Sequence, residues 1–195
     1  ENNNEEIKEI KEIKEIKDKK NKKKNEIIIK LKIDENDLNE SVYILNSPFW
    51  MGEFDDSFIG LKELNKLNTV MYINNEKTEY ENRKYFNKIG IYEIKLVFKI
   101  KITDAKYMFR FCKNIIDINL SEFETRKITN MERMFEGLNV KSLNLSSFDT
   151  NKVSNMNSMF AMCRNLKNIN VSSFDTINVT DMETMFYGCE NLENL

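Results

Sequence analysis

The side chains that could do chemistry here are three cysteines, a few recurring carboxylates, and rows of asparagine and serine; histidine is absent from all 195 residues. Lack of histidine removes the commonest general base and the commonest metal ligand. Cys112, Cys163 and Cys189 fall at equivalent places in a repeating pattern. Two readings stay open. They are small buried apolar residues, or Cys163 and Cys189 form a disulfide in an oxidising compartment, with stacked parallel side chains poorly suited to the required dihedral. A metal site would lack a fourth ligand. Glu124, Asp149 and Asp175 recur beside Thr125, Thr150 and Thr176. Hydrolysis needs two carboxylates converging in a cleft, whereas repeated positions spread into a row. These pairs read as caps of backbone amides in turns. The five glycines form no phosphate-cradling loop. The expectation is no enzyme, no cofactor and no metal.

The elements that position these residues are set by a period. Met-Phe pairs begin at Met108, Met134, Met159 and Met185, a spacing of 26, 25 and 26 residues. Repeats of this length imply stacked units, none of which buries its apolar face alone. In the third copy, Leu166, Ile169 and Val171 have the spacing of a leucine-rich strand, and Ser173-Phe174-Asp175-Thr176 turns the chain. Met182, Met185 and Phe186, at i, i+3 and i+4, predict one face of a short helix. Thr129 with Glu132, and Thr180 with Glu183, have capping-box spacing. Gly188 suits a left-handed close. Columns of equivalent residues follow: Ile115/Val140/Leu166/Leu192, Ile118/Leu143/Ile169/Leu195, and Phe123/Phe148/Phe174. Strand alternation sends Asp117/Ser142/Asn168, Asn119/Asn144/Asn170 and Ser121/Ser146/Ser172 to the opposite, polar face. Those nine residues are the candidate binding site for a protein or glycan. The competing reading is a solvated face whose asparagines bond one another, because it has no aromatic or arginine anchor. Asn39, Asn119, Asn144, Asn170 and Asn178 open glycosylation sequons, three of which simply follow the repeat.

The pattern Leu-x-x-Ile-Asn-(Leu/Val)-Ser-Ser-Phe-Asp-Thr, followed by Val-(Ser/Thr)-(Asn/Asp)-Met-x-x-Met-Phe-x-x-Cys, resembles the BspA-like leucine-rich repeat of surface proteins. The resemblance covers Thr103–Leu195, with departures at Ala105, Leu138 and Glu122-Phe-Glu124. It implies a right-handed solenoid of short parallel strands and short helices, an α/β repeat fold. It also implies a non-enzymatic module for adhesion or protein contact on a microbial cell surface or in a secreted protein. The alternative is an intracellular scaffold joined to an unseen effector.

Ahead of this 102–195 segment, two further segments are expected. Residues 1–25 are a charged low-complexity linker, disordered or loosely helical; its lysines Lys19–Lys24 could alternatively meet anionic lipid or nucleic acid. Residues 26–101 form a small α+β cap covering the exposed edge of the first repeat. Its predicted strands are Ile27–Ile33, Val42–Leu45, Val70–Ile73, Lys77–Tyr80 and Gly90–Ile100, with a helix over Asp55–Leu67 and an Asn74-Asn75 hairpin turn. Tyr107 and Phe111 are expected to touch it, and Trp50 reads as a local aromatic cluster or a loop contact. Formal net charge is −2, which calls for neither nucleic acid nor a membrane surface. No apolar run is long enough to span a bilayer. A monomer is expected, cut from a longer protein at both ends.

Overall fold

The computed structural model describes residues 24–47 and 61–195. The linker expected over residues 1–25, apart from Lys24 and Asn25, lies outside them, as do Trp50 and the start of the helix expected over Asp55–Leu67. The described chain is nearly all β. Its strands are β1 (Glu26–Ile33), β2 (Ser41–Tyr43), β3 (Thr69–Ile73), β4 (Glu76–Thr78), β5 (Arg83–Tyr85), β6 (Gly90–Phe98), β7 (Ile115–Asn119), β8 (Ser142–Asn144) and β9 (Asn168–Asn170). One 3-10 turn, Glu35–Asp37, is the only helical element among the described residues. Asp34 caps it, accepting from the Asn36 amide at 2.9 Å while Asp37 accepts from the Asp34 amide at 3.0 Å.

The N-terminal unit grows around β1. Ile27, Ile29, Leu31 and Ile33 alternate inward and are at most 2% exposed, each stabilising by roughly 1.5–3 kcal/mol on burial. β1 is an interior strand, between β6 and β7, in an antiparallel sheet of order β4-β3-β6-β1-β7. β3 and β4 meet through Asn74 and Asn75, both at positive φ (49° and 69°), the conformation a two-residue hairpin demands. β2 and β5 make a separate antiparallel pair.

The expected α/β solenoid with an α+β cap is therefore corrected on three counts. First, Ile115–Asn119, the strand of the first repeat, does not begin a wholly parallel ladder. It pairs antiparallel with β1, with a bulge at Lys30/Leu31. Among the described residues only β8 and β9 pair as parallel strands, Leu143 opposite Ile169. Second, the N-terminal unit carries no α-helix among its described residues. Third, the segments expected to be helices are strings of tight turns over residues 104–112, 130–138, 155–163 and 181–189.

The hydrogen bonds explain the third correction. In the first string, Met108, Arg110 and Cys112 amides bond carbonyls three residues back, those of Ala105, Tyr107 and Phe109. The intervening amides leave the segment. Ala105, Tyr107, Phe109 and Phe111 donate to the carbonyls of Asn130, Glu132, Met134 and Glu136 in the next coil, at 2.8–3.0 Å. A helix needs every amide to bond four residues back within itself. The backbone also breaks twice per coil into the left-handed region. Tyr107, Arg133, Ser158 and Thr184 have φ of 64°, 52°, 53° and 54°; Phe111, Gly137, Met162 and Gly188 have 47°, 66°, 60° and 72°. The turn string still places Met131, Met134 and Phe135 on one side, all fully buried, so apolar spacing alone mimics a helix.

The predicted capping boxes are replaced too. Asp104, Asn130, Asn155 and Asp181 accept from the amides two residues ahead at 2.8–2.9 Å, a local turn that competes with helix. They form a file of parallel bridges between coils. Thr129, Ser154 and Thr180 instead send both amide and hydroxyl to the previous coil, onto the carbonyls of Thr103, Thr129 and Ser154.

Two aromatic files run through the core. Phe109, Phe135, Phe160 and Phe186 stack with centroids 5.4, 5.5 and 5.4 Å apart. Phe98, Phe123, Phe148 and Phe174 follow at 5.8, 6.1 and 6.4 Å. Phe98 belongs to β6, so the second file begins in the N-terminal unit.

Candidate functional site

All nine residues of the predicted polar face are exposed. On the first strand, Asp117 is paired with Lys30 of β1 at 3.1 Å, so the start of the row abuts the N-terminal unit. Asn119, Asn144 and Asn170 are held by their own turns: their Oδ1 atoms accept from the amides of Ser121, Ser146 and Ser172 at 3.0–3.1 Å. The hydroxyls of Ser146 and Ser172 donate to the same oxygens. Asn168 accepts from Asn194 in the following coil at 2.7 Å. Strand register puts Ser142 beside Asn168 and Asn144 beside Asn170. The result is a fixed polar strip whose side chains are already oriented by short local bonds.

The recurring threonines act inside the stack. Thr125 and Thr150 are 2% and 1% exposed. Thr125 Oγ1 donates to the Asp149 carbonyl and accepts from its amide, at 3.1 and 2.8 Å; Thr150 does the same to Asp175 at 3.0 and 2.8 Å. Asp149 and Asp175 accept from amides two residues ahead, so the carboxylates close turns.

The cysteines are free, so the Cys163–Cys189 pairing is not formed. Their thiols donate instead to backbone carbonyls: Cys163 to Phe135 at 3.0 Å and Cys189 to Phe160 at 3.1 Å. Burial pushes the thiols of Cys112 and Cys163 up to about 12 and raises that of Cys189. Such thiols are poor nucleophiles. Among the described residues no group of three or more Cys, Asp and Glu side chains could hold a metal. No described helix is long and apolar enough to cross a membrane.

Sequence reasoning missed the ties between units and coils. Asn46 and Ser47 donate their amides to the carbonyls of Met108 and Arg110 at 2.9 and 3.3 Å. Glu63 accepts from the Thr103 amide and hydroxyl and the Asp104 amide. Asn25 bonds Ile100 and Glu124. Arg110 and Glu136, both buried, pair at 2.7 Å, with the guanidinium over the rings of Tyr107 and Phe111. That last tie had a readable signal: opposite charges at one repeat position in adjacent copies. Lys106–Glu132, Arg164–Glu190 and Lys167–Glu193 follow the same rule at 3.0, 3.4 and 3.2 Å. Tyr107 and Phe111 turn their amides toward the second coil. The Phe111 ring occupies the space a side chain at Gly137 would need.

Residues 103–195, just under half the chain, match a family described as Mycoplasma protein of unknown function, DUF285. No curated protein and no solved structure matches the chain.

Proposed function

We propose that this chain is a non-enzymatic interaction module that binds a protein or glycan across the polar strip on β8 and β9. The role is the one implied by the resemblance to BspA-like leucine-rich repeats, whose members act at microbial cell surfaces or after secretion. One observation supports it most: the exposed Asn and Ser side chains are held in register by bonds to their own turns. Pre-oriented groups lose little freedom on binding. The buried, unreactive thiols and the turn-closing carboxylates fit a binding rather than a catalytic role.

The test is a screen of the labelled protein against arrays of glycans and extracellular proteins, in parallel with a Ser142→Arg/Asn168→Arg variant. Ser142 and Asn168 are exposed neighbours, so melting should be unchanged while binding falls. Binding that survives the double substitution would move the site elsewhere. Protease accessibility of the protein on intact cells tests its placement at the surface.

A further inference from the structure

Several charges at equivalent places in neighbouring coils are opposite: Lys106 meets Glu132, Arg164 meets Glu190 and Lys167 meets Glu193. One corner of the stack does the reverse. Lys127 and Lys152 stand four residues beyond Phe123 and Phe148, whose ring centroids are 6.1 Å apart in adjacent coils. Lys101 and Arg126 stand three residues beyond Phe98 and Phe123, whose centroids are 5.8 Å apart. Cation therefore follows cation along this corner, and all four are exposed. Lys101 and Arg126 share one carboxylate, Glu124, at 3.8 and 3.5 Å. Lys127 and Lys152 have no ion-pair partner among the described residues. Like charges in adjacent layers repel. The aligned carboxylates Asp149 and Asp175 are accounted for by the turns they close; the aligned cations close none. A cost with no structural return marks a place where a sequence serves something other than its fold.

The four cations border an open groove of about 410 Å³, lined also by Asp149 and Asn151. More positive charge joins the chain beside it. Residues 17–24 hold six lysines and one aspartate. The last of them, Lys24, donates its amide to Glu122 at 3.3 Å, and Asn25 bonds the Ile100 carbonyl and the Glu124 amide. The whole chain carries a formal charge of −2, so attraction for an anion is a property of this corner and not of the bulk.

We propose that this groove binds a sulfated glycan chain. Lys127 and Lys152, with no carboxylate to displace, take sulfate groups. Asp149 and Asn151 offer an acceptor and an amide to the sugar hydroxyls between those sulfates. The mixture selects among polyanions. A DNA backbone has no hydroxyl to donate to Asp149, and no aromatic ring lines the groove to stack a base. An anionic membrane would meet no apolar side chain in the lining to enter it. None of these residues belongs to the polar strip, so the two sites stand or fall separately.

The probe is a heparin oligosaccharide, titrated into the full chain by calorimetry and compared with the same oligosaccharide after desulfation. Sulfated binding should weaken as salt rises and fall by about tenfold or more in a Lys127→Gln/Lys152→Gln variant. A Lys77→Gln/Lys88→Gln variant makes the same charge change at exposed lysines elsewhere and should bind as the parent does. Melting of the Lys127→Gln/Lys152→Gln variant should hold or rise, because a repulsion is removed; a fall would make the lysines structural and overturn the proposal. Equal binding of the desulfated chain, or unchanged binding by that variant, also overturns it. So does tighter binding of a DNA duplex or of phosphatidylserine vesicles, which would assign the groove to nucleic acid or to a membrane.

Discussion

Truncating Phe135 to alanine tests whether the stack is held by its aromatic file. Phe135 is fully buried, and its ring lies 5.4 Å from Phe109 at 11° and 5.5 Å from Phe160 at 3°, with Phe148 at 6.4 Å. Deleting a ring enclosed on both faces removes its transfer energy and leaves a cavity, about 3–5 kcal/mol. Phe186 has the same chemistry but is only half-buried, with a stacked ring on one face. Phe186→Ala should therefore cost about 1–2 kcal/mol, a fraction of a full burial. The double variant Phe135→Ala/Phe160→Ala should be less destabilised than the sum of its singles by about 0.5–1.5 kcal/mol, the coupling of a stacked pair. Urea unfolding followed by far-ultraviolet circular dichroism gives all three values. Equal costs at positions 135 and 186, or coupling indistinguishable from zero, would refute the reasoning that inter-coil ring contacts carry the core.

Two further outcomes follow from the bonds between coils and units. Thr150→Val leaves the buried contact with Asp175 unmade and should cost about 1–3 kcal/mol. The same change at exposed Thr176 should stay within about 0.5 kcal/mol in thermal melts; equal effects would remove the threonine ladder from the account. Asp37, 4% exposed, is driven up by burial but drawn down further by bonds from Asn114, the Asp34 backbone and Lys113 and by the Lys113 charge, and settles below its ordinary value. A carboxylate lowered on folding contributes stability above its unfolded pKa of about 3.9, and loses it as pH falls through the folded value. Asp37→Asn should thus destabilise near neutrality and converge with the parent in strong acid, as read from urea midpoints across pH. A gap independent of pH would refute this.

The period, the columns and the exposed polar strip could be read from residue order, because burial repeats wherever the chain repeats. The local path between columns could not. Apolar residues at i, i+3 and i+4 sit on one side of a helix and of a string of turns alike. Gly137 and Gly188 signal one left-handed position, but Arg133, Ser158 and Thr184 carry no mark of the other. β5, with the sequence Arg83-Lys84-Tyr85, is three residues without apolar alternation, and only its partner β2 makes it a strand. The antiparallel pairing of β1 with β7 joins residues more than eighty positions apart, which no local pattern encodes. The candidate strip was legible as a list of side chains. The bonds that immobilise it, and the links from Glu63 and Asn46 to the first coil, required the folded chain.

The left-handed residues also bear on how the stack can form. A non-glycine residue there costs roughly 1–2 kcal/mol, and each coil has two such positions, with glycine at one of them only in the second and fourth. A lone coil would not hold that shape; a neighbour already in place must compensate. Order should then spread like crystal growth from a seed, with the β1–β7 seam as the nucleus and each finished layer serving as the mould for its successor. Severing that seam, rather than weakening any later layer, would be the surest way to keep the whole pile from setting.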